Sequence, residues 1–222
     1  MKKSLVICLV LVMAFSMSVF AADADWEDGE YVGYVPKDRG DEIIVVEISA
    51  GRIADVDILN RFKLNYDYDA GRKAFLEYPH LVESQQSADI DIISGATGSI
   101  NDYNKATKMA LDIASGNYER NKYYGVAENY GHGHVVVEIT VKNDKITDAK
   151  LITGDPESDT SMLMPPKPDD YGHEAALEYY KNFADKVVEN QGKVDIVSGA
   201  THSGIDYNEA LEMAMEQAGL LD

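Results

Sequence analysis

The chain has 222 residues, with 39 acidic against 20 basic side chains and a formal net charge of −19. Such a surface repels nucleic acid, whose binding requires Lys and Arg to neutralise phosphates. It suits a soluble protein or one steered toward a basic partner, and the length is enough to bury one large core or two modest ones.

Met1-Lys2-Lys3 makes a short positive start, Leu5 to Phe20 is almost wholly apolar, and Ala21-Ala22 follow. A charged start, an apolar run and a small-residue exit form the pattern of a secretory signal peptide over residues 1–21. Export is therefore expected, to a periplasmic, secreted or cell-surface location. An uncleaved N-terminal membrane anchor is the alternative, because the apolar run is nearly long enough to span. The only cysteine, Cys8, lies inside this run, and Val6-Ile7 lacks the small residues that a lipoprotein site needs. Cleavage after Ala21 leaves 18 basic against 39 acidic residues, a net of −21, and no cysteine. Such a chain holds no disulfide, no thiolate-bound iron–sulfur cluster and no c-type haem. A redox role then requires another cofactor.

The rest reads as one unit written twice. Glu30-Tyr31-Val32-Gly33 opens the first copy and Lys122-Tyr123-Tyr124-Gly125 the second. Ile43–Ser49 and Val135–Val141 alternate or run apolar like strands. Ala50-Gly51-Arg52 and Lys142-Asn143-Asp144 are turn signals, and Ile53–Leu59 and Ile146–Ile152 read as returning strands. A helical stretch follows in each copy. It runs from Ala70 to Gln86 in the first. In the second it runs from Tyr171 to Asn190, with Ala175, Leu177, Tyr180, Phe183, Val187 and Val188 at helical spacing. A loop from Gly154 to Asp170 precedes the latter and holds four of the six prolines. Each copy closes with a helix, for which Asp102 and Asp206 are the expected N-caps and Gly116 and Gly219 the ends. Ala106, Met109, Ala110 and Ile113 mark the apolar face of the first. The fold class predicted is α+β, as two tandem modules over residues 27–117 and 122–222, each a small antiparallel sheet with packed helices. The link around Asn117–Asn121 is short, so the modules are expected to pack together.

Repetition is strongest where each closing helix begins. Asp91 to Ala114 (DIISGATGSINDYNKATKMALDIA) and Asp195 to Ala218 (DIVSGATHSGIDYNEALEMAMEQA) align without a gap, and fourteen of 24 paired positions are identical. The shared core is Asp-x-x-Ser-Gly-Ala-Thr, Asp91 to Thr97 and Asp195 to Thr201. In each copy a β-like run ends in this segment and then enters a helix. Small residues with Gly95 or Gly199 let a ligand approach the backbone, and N–H groups at a turn and a helix start favour phosphate. The Thr97 and Thr201 hydroxyls can accept a phosphoryl group. Ser94, Ser99, Ser198 and Ser203 add donors beside Ala96 and Ala200, and Asp91 and Asp195 can bind a cation or cap the turn. A plain turn with capping Ser and Thr is the competing explanation. It is weakened by two copies kept at equivalent positions while the upstream halves diverged.

These two segments resemble the FMN-binding domain family, which includes the flavin-carrying subunits of the sodium-pumping NADH:quinone reductase and of the Rnf electron-transport complexes. The tyrosine-x-glycine start and the ITDAKLI strand are similar to the family too. The resemblance implies FMN joined through its phosphate to Thr97 and Thr201. It also implies a separate magnesium-dependent, FAD-using flavin transferase that makes the bond outside the cytoplasm. Departures lie in Pro36-Lys37-Asp38-Arg39-Gly40, a poor counterpart of the glycine-rich segment matched by Asn129-Tyr130-Gly131-His132-Gly133, and in the lack of a Glu-Thr-Pro-Gly-type loop.

Tyr103 and Tyr207, in the repeated Asp-Tyr-Asn, can flank a flavin ring or pack their helices onto the sheet. His132 and His134 are too few for a metal site. Met162-Leu163-Met164-Pro165-Pro166 can lie against a flavin, against the other module or over the core. The function expected is an extracytoplasmic electron carrier with two covalent FMN groups, which needs redox partner proteins at the membrane or cell surface. The alternatives are non-covalent binding of FMN or another phosphate ligand, and a non-redox surface protein.

Overall fold

The computed structural model describes residues 25–37, 40–59, 67–129, 133–154 and 163–221. The expected signal peptide, His132 and Met162 lie outside these residues. Two antiparallel sheets of three strands form, in the orders β1-β2-β3 and β4-β5-β6. The first comprises β1 (Gly29–Val35), β2 (Glu42–Ser49) and β3 (Arg52–Ile58), followed by helices α1 (Asp69–Gln85) and α2 (Thr97–Ala114). The second comprises β4 (Lys122–Asn129), β5 (Gly133–Val141) and β6 (Ile146–Ile152), followed by α3 (Glu174–Asn190) and α4 (Thr201–Gln217). The architecture is mixed α+β. No helix among the described residues is long and apolar enough to cross a membrane.

Both hairpins turn where the sequence signals them. Ala50 and Gly51 have φ of 52° and 67°, and Asn143 and Asp144 have φ of 53° and 57°. Two left-handed residues between paired strands give the primed turn that matches strand twist. In β3 Ile53, Val56 and Ile58 are buried, and the alternation breaks at Ala54-Asp55, both exposed, where the pairing with β2 shifts register. β5 is buried almost throughout, because its sheet is covered on both faces. Val135, Val137 and Ile139 join the core under α3 and α4, while Val136 joins the core shared with the first sheet, α1 and α2.

Helix α3 starts at Glu174 rather than Tyr171, and its buried face is Ala176, Tyr179, Phe183 and Val187. Ala175, Leu177, Tyr180 and Val188 are half-buried at its margins. The apolar stripe is wider than the contact, so spacing alone does not fix its centre.

The closing helices sit very close to the opening strands. A Cβ added at Gly33 would lie 1.8 Å from the Ala106 carbonyl oxygen, and one at Gly125 would lie 1.8 Å from that of Ala210. Only glycine lets each helix backbone rest on strand β1 or β4 at that depth.

The sheet edges are closed by side-chain amides. Gln86 and Gln191 follow α1 and α3 with left-handed φ. Gln86 accepts from Ile53 N (2.9 Å) and donates to Ile53 O (3.0 Å) on edge strand β3. Gln191 makes the same pair with Ile146 on β6, both at 2.9 Å. Gln217 serves the remaining edges together, accepting from Val32 N at 2.9 Å and donating to Tyr124 O at 2.8 Å. The first sheet is thereby tied to the second, and Tyr34 stacks on Tyr124 with centroids 4.5 Å apart at the same junction.

Substituting Gly125→Ala forces α4 off the strand, an overpacking cost of about 1–3 kcal/mol. A fall of several degrees in the thermal midpoint is expected. Gly172→Ala, where a Cβ meets nothing within 4 Å, leaves the midpoint in place; equal midpoints for the two variants would refute the close-contact argument.

Candidate functional site

The site is built from a turn. Ala96 N donates to Ile93 O (2.9 Å) and Ala200 N to Val197 O (3.0 Å), while Gly95 and Gly199 have φ of 83° and 88°. A bond closing four residues with positive φ at the third is a type II turn, which requires glycine there. Each turn abuts the first turn of the preceding helix. A Cβ at Gly95 would lie 3.0 Å from Ala70 Cβ, and one at Gly199 would lie 3.1 Å from Ala175 Cβ. Tyr68 adds a hydrogen bond from its hydroxyl to Gly95 O at 2.6 Å.

The turn launches the helix directly, which corrects the expected N-caps. Ala96 O accepts from Ile100 N (3.0 Å) and Ala200 O from Gly204 N (2.8 Å). The helices therefore begin at Thr97 and Thr201, with Ala96 and Ala200 as N-caps that make no side-chain capping bond. Asp102 and Asp206 stand in the second helical turn. The β-like run ahead of each motif is not a strand either. Its backbone bonds go to an asparagine side chain instead of a neighbouring strand. Asn208 accepts from Val194 N (2.9 Å) and donates to Val194 O (2.8 Å), and Asn104 does the same to Ile90 at 3.4 and 2.9 Å.

Thr97 and Thr201 are exposed, as are Ser94, Gly95, Ser198, Gly199, Asp91 and Asp195. Ala96 and Ala200 are buried under them, and Ser99 and Ser203 are half-buried at the third helical position. Each motif thus brings a hydroxyl, a glycine turn and an uncapped helix start to one exposed place. Large apolar side chains are exposed beside them. Ile196, Val197 and Ile205 flank Thr201, and Ile92 lies in the first motif.

Tyr103 and Tyr207 are fully buried, and of their two readings the structure displays the packing one. The Tyr103 ring lies 5.0 Å from that of Tyr78, whose hydroxyl donates to Thr107 Oγ1 at 2.9 Å. The Tyr207 ring lies 5.2 Å from that of Phe183. Burial pushes both phenols above their ordinary value. Leu163 and Met164 cover core as well. Met164 N donates to His134 O at 2.8 Å, and the Met164 sulfur lies 3.5 Å from the Tyr207 hydroxyl.

The carboxylates at matching positions differ. Burial acts to raise the Asp102 pKa, but hydrogen bonds from Lys37 (2.9 Å) and Lys105 (3.0 Å) outweigh it and hold the group below the usual range. Asp206 is held above that range by burial and by Glu209, against the opposing charges of His202 and Lys167. Among the described residues no group of three or more His, Cys, Asp or Glu is placed to hold a metal ion. A cavity of about 240 Å³ lies between the outer face of the first sheet and the second half, walled by Glu30, Glu47, Asp55, Asp57 and His134 among others. None of the motif residues lines it.

Residues 131–216 match the FMN-binding domain family. The matched stretch runs from β5 through most of α4 and contains the second turn with Thr201; the first turn, with Thr97, lies outside it. The match supports FMN as a ligand of this chain. None of the curated proteins compared with the chain matches it.

Asn104 and Asn208 position the turn, and their recurrence in the repeated Asp-Tyr-Asn is the sequence signal for that role. Asn208→Leu is predicted to leave the buried Val194 N–H without its acceptor, a loss of about 1–3 kcal/mol, while the Tyr179 hydroxyl still donates to Val194 O at 3.2 Å. Faster hydrogen exchange at the Val194 amide is the expected result, and unchanged protection there would count against this positioning role.

Proposed function

We propose that the chain is an extracytoplasmic electron-transfer flavoprotein of two FMN-binding modules in tandem, with FMN esterified to Thr201 and Thr97. The observation that carries this reading is the FMN-binding domain match over an exposed threonine, delivered at the first position of a helix by a glycine turn that recurs at Thr97. The residues present fit the group. Space that a Cβ would fill at Gly95 and Gly199 keeps each turn close-packed. The uncapped N–H groups at the starts of α2 and α4 suit a phosphate, which the positive end of the helix dipole also favours. Ser198 and Ser203 stand beside Thr201, and Ser94 and Ser99 beside Thr97, as further donors. Ile196, Val197 and Ile205 offer apolar surface to a planar ring, and exposed apolar patches of this kind mark binding surfaces.

Attachment needs an external flavin transferase working on FAD and magnesium. The Thr201 Oγ attacks the FMN-side phosphorus of FAD, forming an Oγ–P bond as the pyrophosphate P–O bond to AMP breaks. AMP leaves with that electron pair, and the threonine proton passes to solvent. Bound flavin supplies one- and two-electron redox chemistry, while the protein sets its position and surroundings. Covalent attachment suits an exported carrier, because FMN lost outside the cytoplasm is not readily replaced. The acidic surface would steer the protein to basic faces of its redox partners at the membrane or cell surface.

Co-expression with a flavin transferase is expected to add two FMN-minus-water increments to the intact mass. Thr201→Val removes one, Thr97→Val the other, and the double variant both. A chain that gains no mass, or a double variant that still gains it, would overturn the reading.

A further inference from the structure

The first turn has an aromatic neighbour that the second lacks. Ala70 and Ala175 rest on Gly95 and Gly199 in matching fashion, so the heads of α1 and α3 correspond. Two residues earlier, at the N-cap of each helix, stand Tyr68 and His173. His173 meets the Tyr171 ring edge to face, with centroids 5.8 Å apart. Among the described residues and beyond its chain neighbours, a Cβ at Gly199 would meet only Ala175 within 4 Å. Tyr68 reaches the turn instead. Its hydroxyl donates to Gly95 O at 2.6 Å and would lie 3.1 Å from a Cβ at Gly95. The Tyr68 ring is thereby fastened at both ends, to the head of α1 and to the turn. Yet Tyr68 is 51% exposed, and with its hydroxyl engaged the surface it shows is mostly ring. Consecutive Cα atoms are about 3.8 Å apart, so Thr97 Cα lies within about 8 Å of Gly95 Cα. A fixed, exposed aromatic face thus stands beside the first threonine.

We infer that Tyr68 flanks the isoalloxazine of the flavin on Thr97, a contact that the matching position does not offer the flavin on Thr201. The inference rests on the flavin reading above. Planar rings prefer offset stacking on an aromatic face, and a phenol is electron-rich where oxidised isoalloxazine is electron-poor. A ring already fixed in place loses little freedom when the stack forms. Contact has an optical consequence. An excited flavin takes one electron from a touching phenol and returns it, so the emission is lost as heat and nothing is consumed. Tyr103 is fully buried and is placed to pack its helix, whereas Tyr68 presents its ring to the outside beside the threonine.

The test is flavin emission from the full chain co-expressed with the transferase, with intact mass reading the load. Thr201→Val confines FMN to Thr97. In that background Tyr68→Leu raises emission per FMN about threefold to tenfold, since an aromatic stack of ordinary strength is occupied roughly two to ten times as often as not. Tyr68→Trp keeps a ring that gives up an electron at least as readily, and the flavin stays dark. A tyrosine that only pins the turn predicts equal emission from the Leu and Trp variants. In the Thr97→Val background, with FMN on Thr201 alone, Tyr68→Leu leaves emission where it was. Thr97-bound FMN whose emission ignores Tyr68→Leu, or Leu and Trp variants of equal brightness, overturns the inference while leaving the flavin reading standing. A chain that takes no FMN on Thr97 overturns the flavin reading at that threonine and the inference with it.

Discussion

A side-chain amide pairs an acceptor oxygen with an NH2 donor, and so can match the C=O and N–H that an extended backbone residue presents to its neighbour. This chain uses that equivalence wherever a sheet stops. Gln86 and Gln191 close the outer edges at β3 and β6, and Gln217 closes β1 and β4 at once. Asn104 and Asn208 serve the extended segments that lead into the two threonine turns. Edge strands with unpaired N–H and C=O groups invite association with other chains. Here the same bonds that quiet the edges fix the helices to the sheets, and hence fix where each turn emerges.

The second constraint is the depth of helix packing. With Ala106 resting on Gly33 and Ala210 on Gly125, the closing helices cannot shift without separating from their sheets. Phe183 under Tyr207, and Tyr78 against Tyr103, fill the space between the paired helices. The aromatic residues of the Asp-Tyr-Asn segment thus hold the helix, its asparagine holds the approach, and the exposed turn follows as the rigid product of both. A threonine presented in this way is open to solvent without any lid or loop movement.

The two turns were legible because they were written twice without a gap. Strand pairs and hairpin turns were legible too, since Asn143-Asp144 and Ala50-Gly51 break apolar runs at the right spacing. Other features were hidden for stated physical reasons. The contact that requires Gly125 lies on Ala210, far along the chain, so nothing local distinguishes that glycine from a turn. Gln217 occupies the position of Ile113 in the other copy, and its departure from the pattern is what joins the halves. Aspartate is a strong capping residue, so Asp102 and Asp206 read as N-caps, whereas these helices start from an alanine carbonyl at the end of a glycine turn. Asp102 instead pairs with Lys37, which is distant in sequence.

A covalent flavin is tested most directly by the visible absorption spectrum of protein purified from its own host, unfolded in denaturant and separated from small molecules. Flavin absorbance is expected to stay with the polypeptide. A colourless chain, with the flavin in the low-molecular-mass fraction or absent from both, would contradict it.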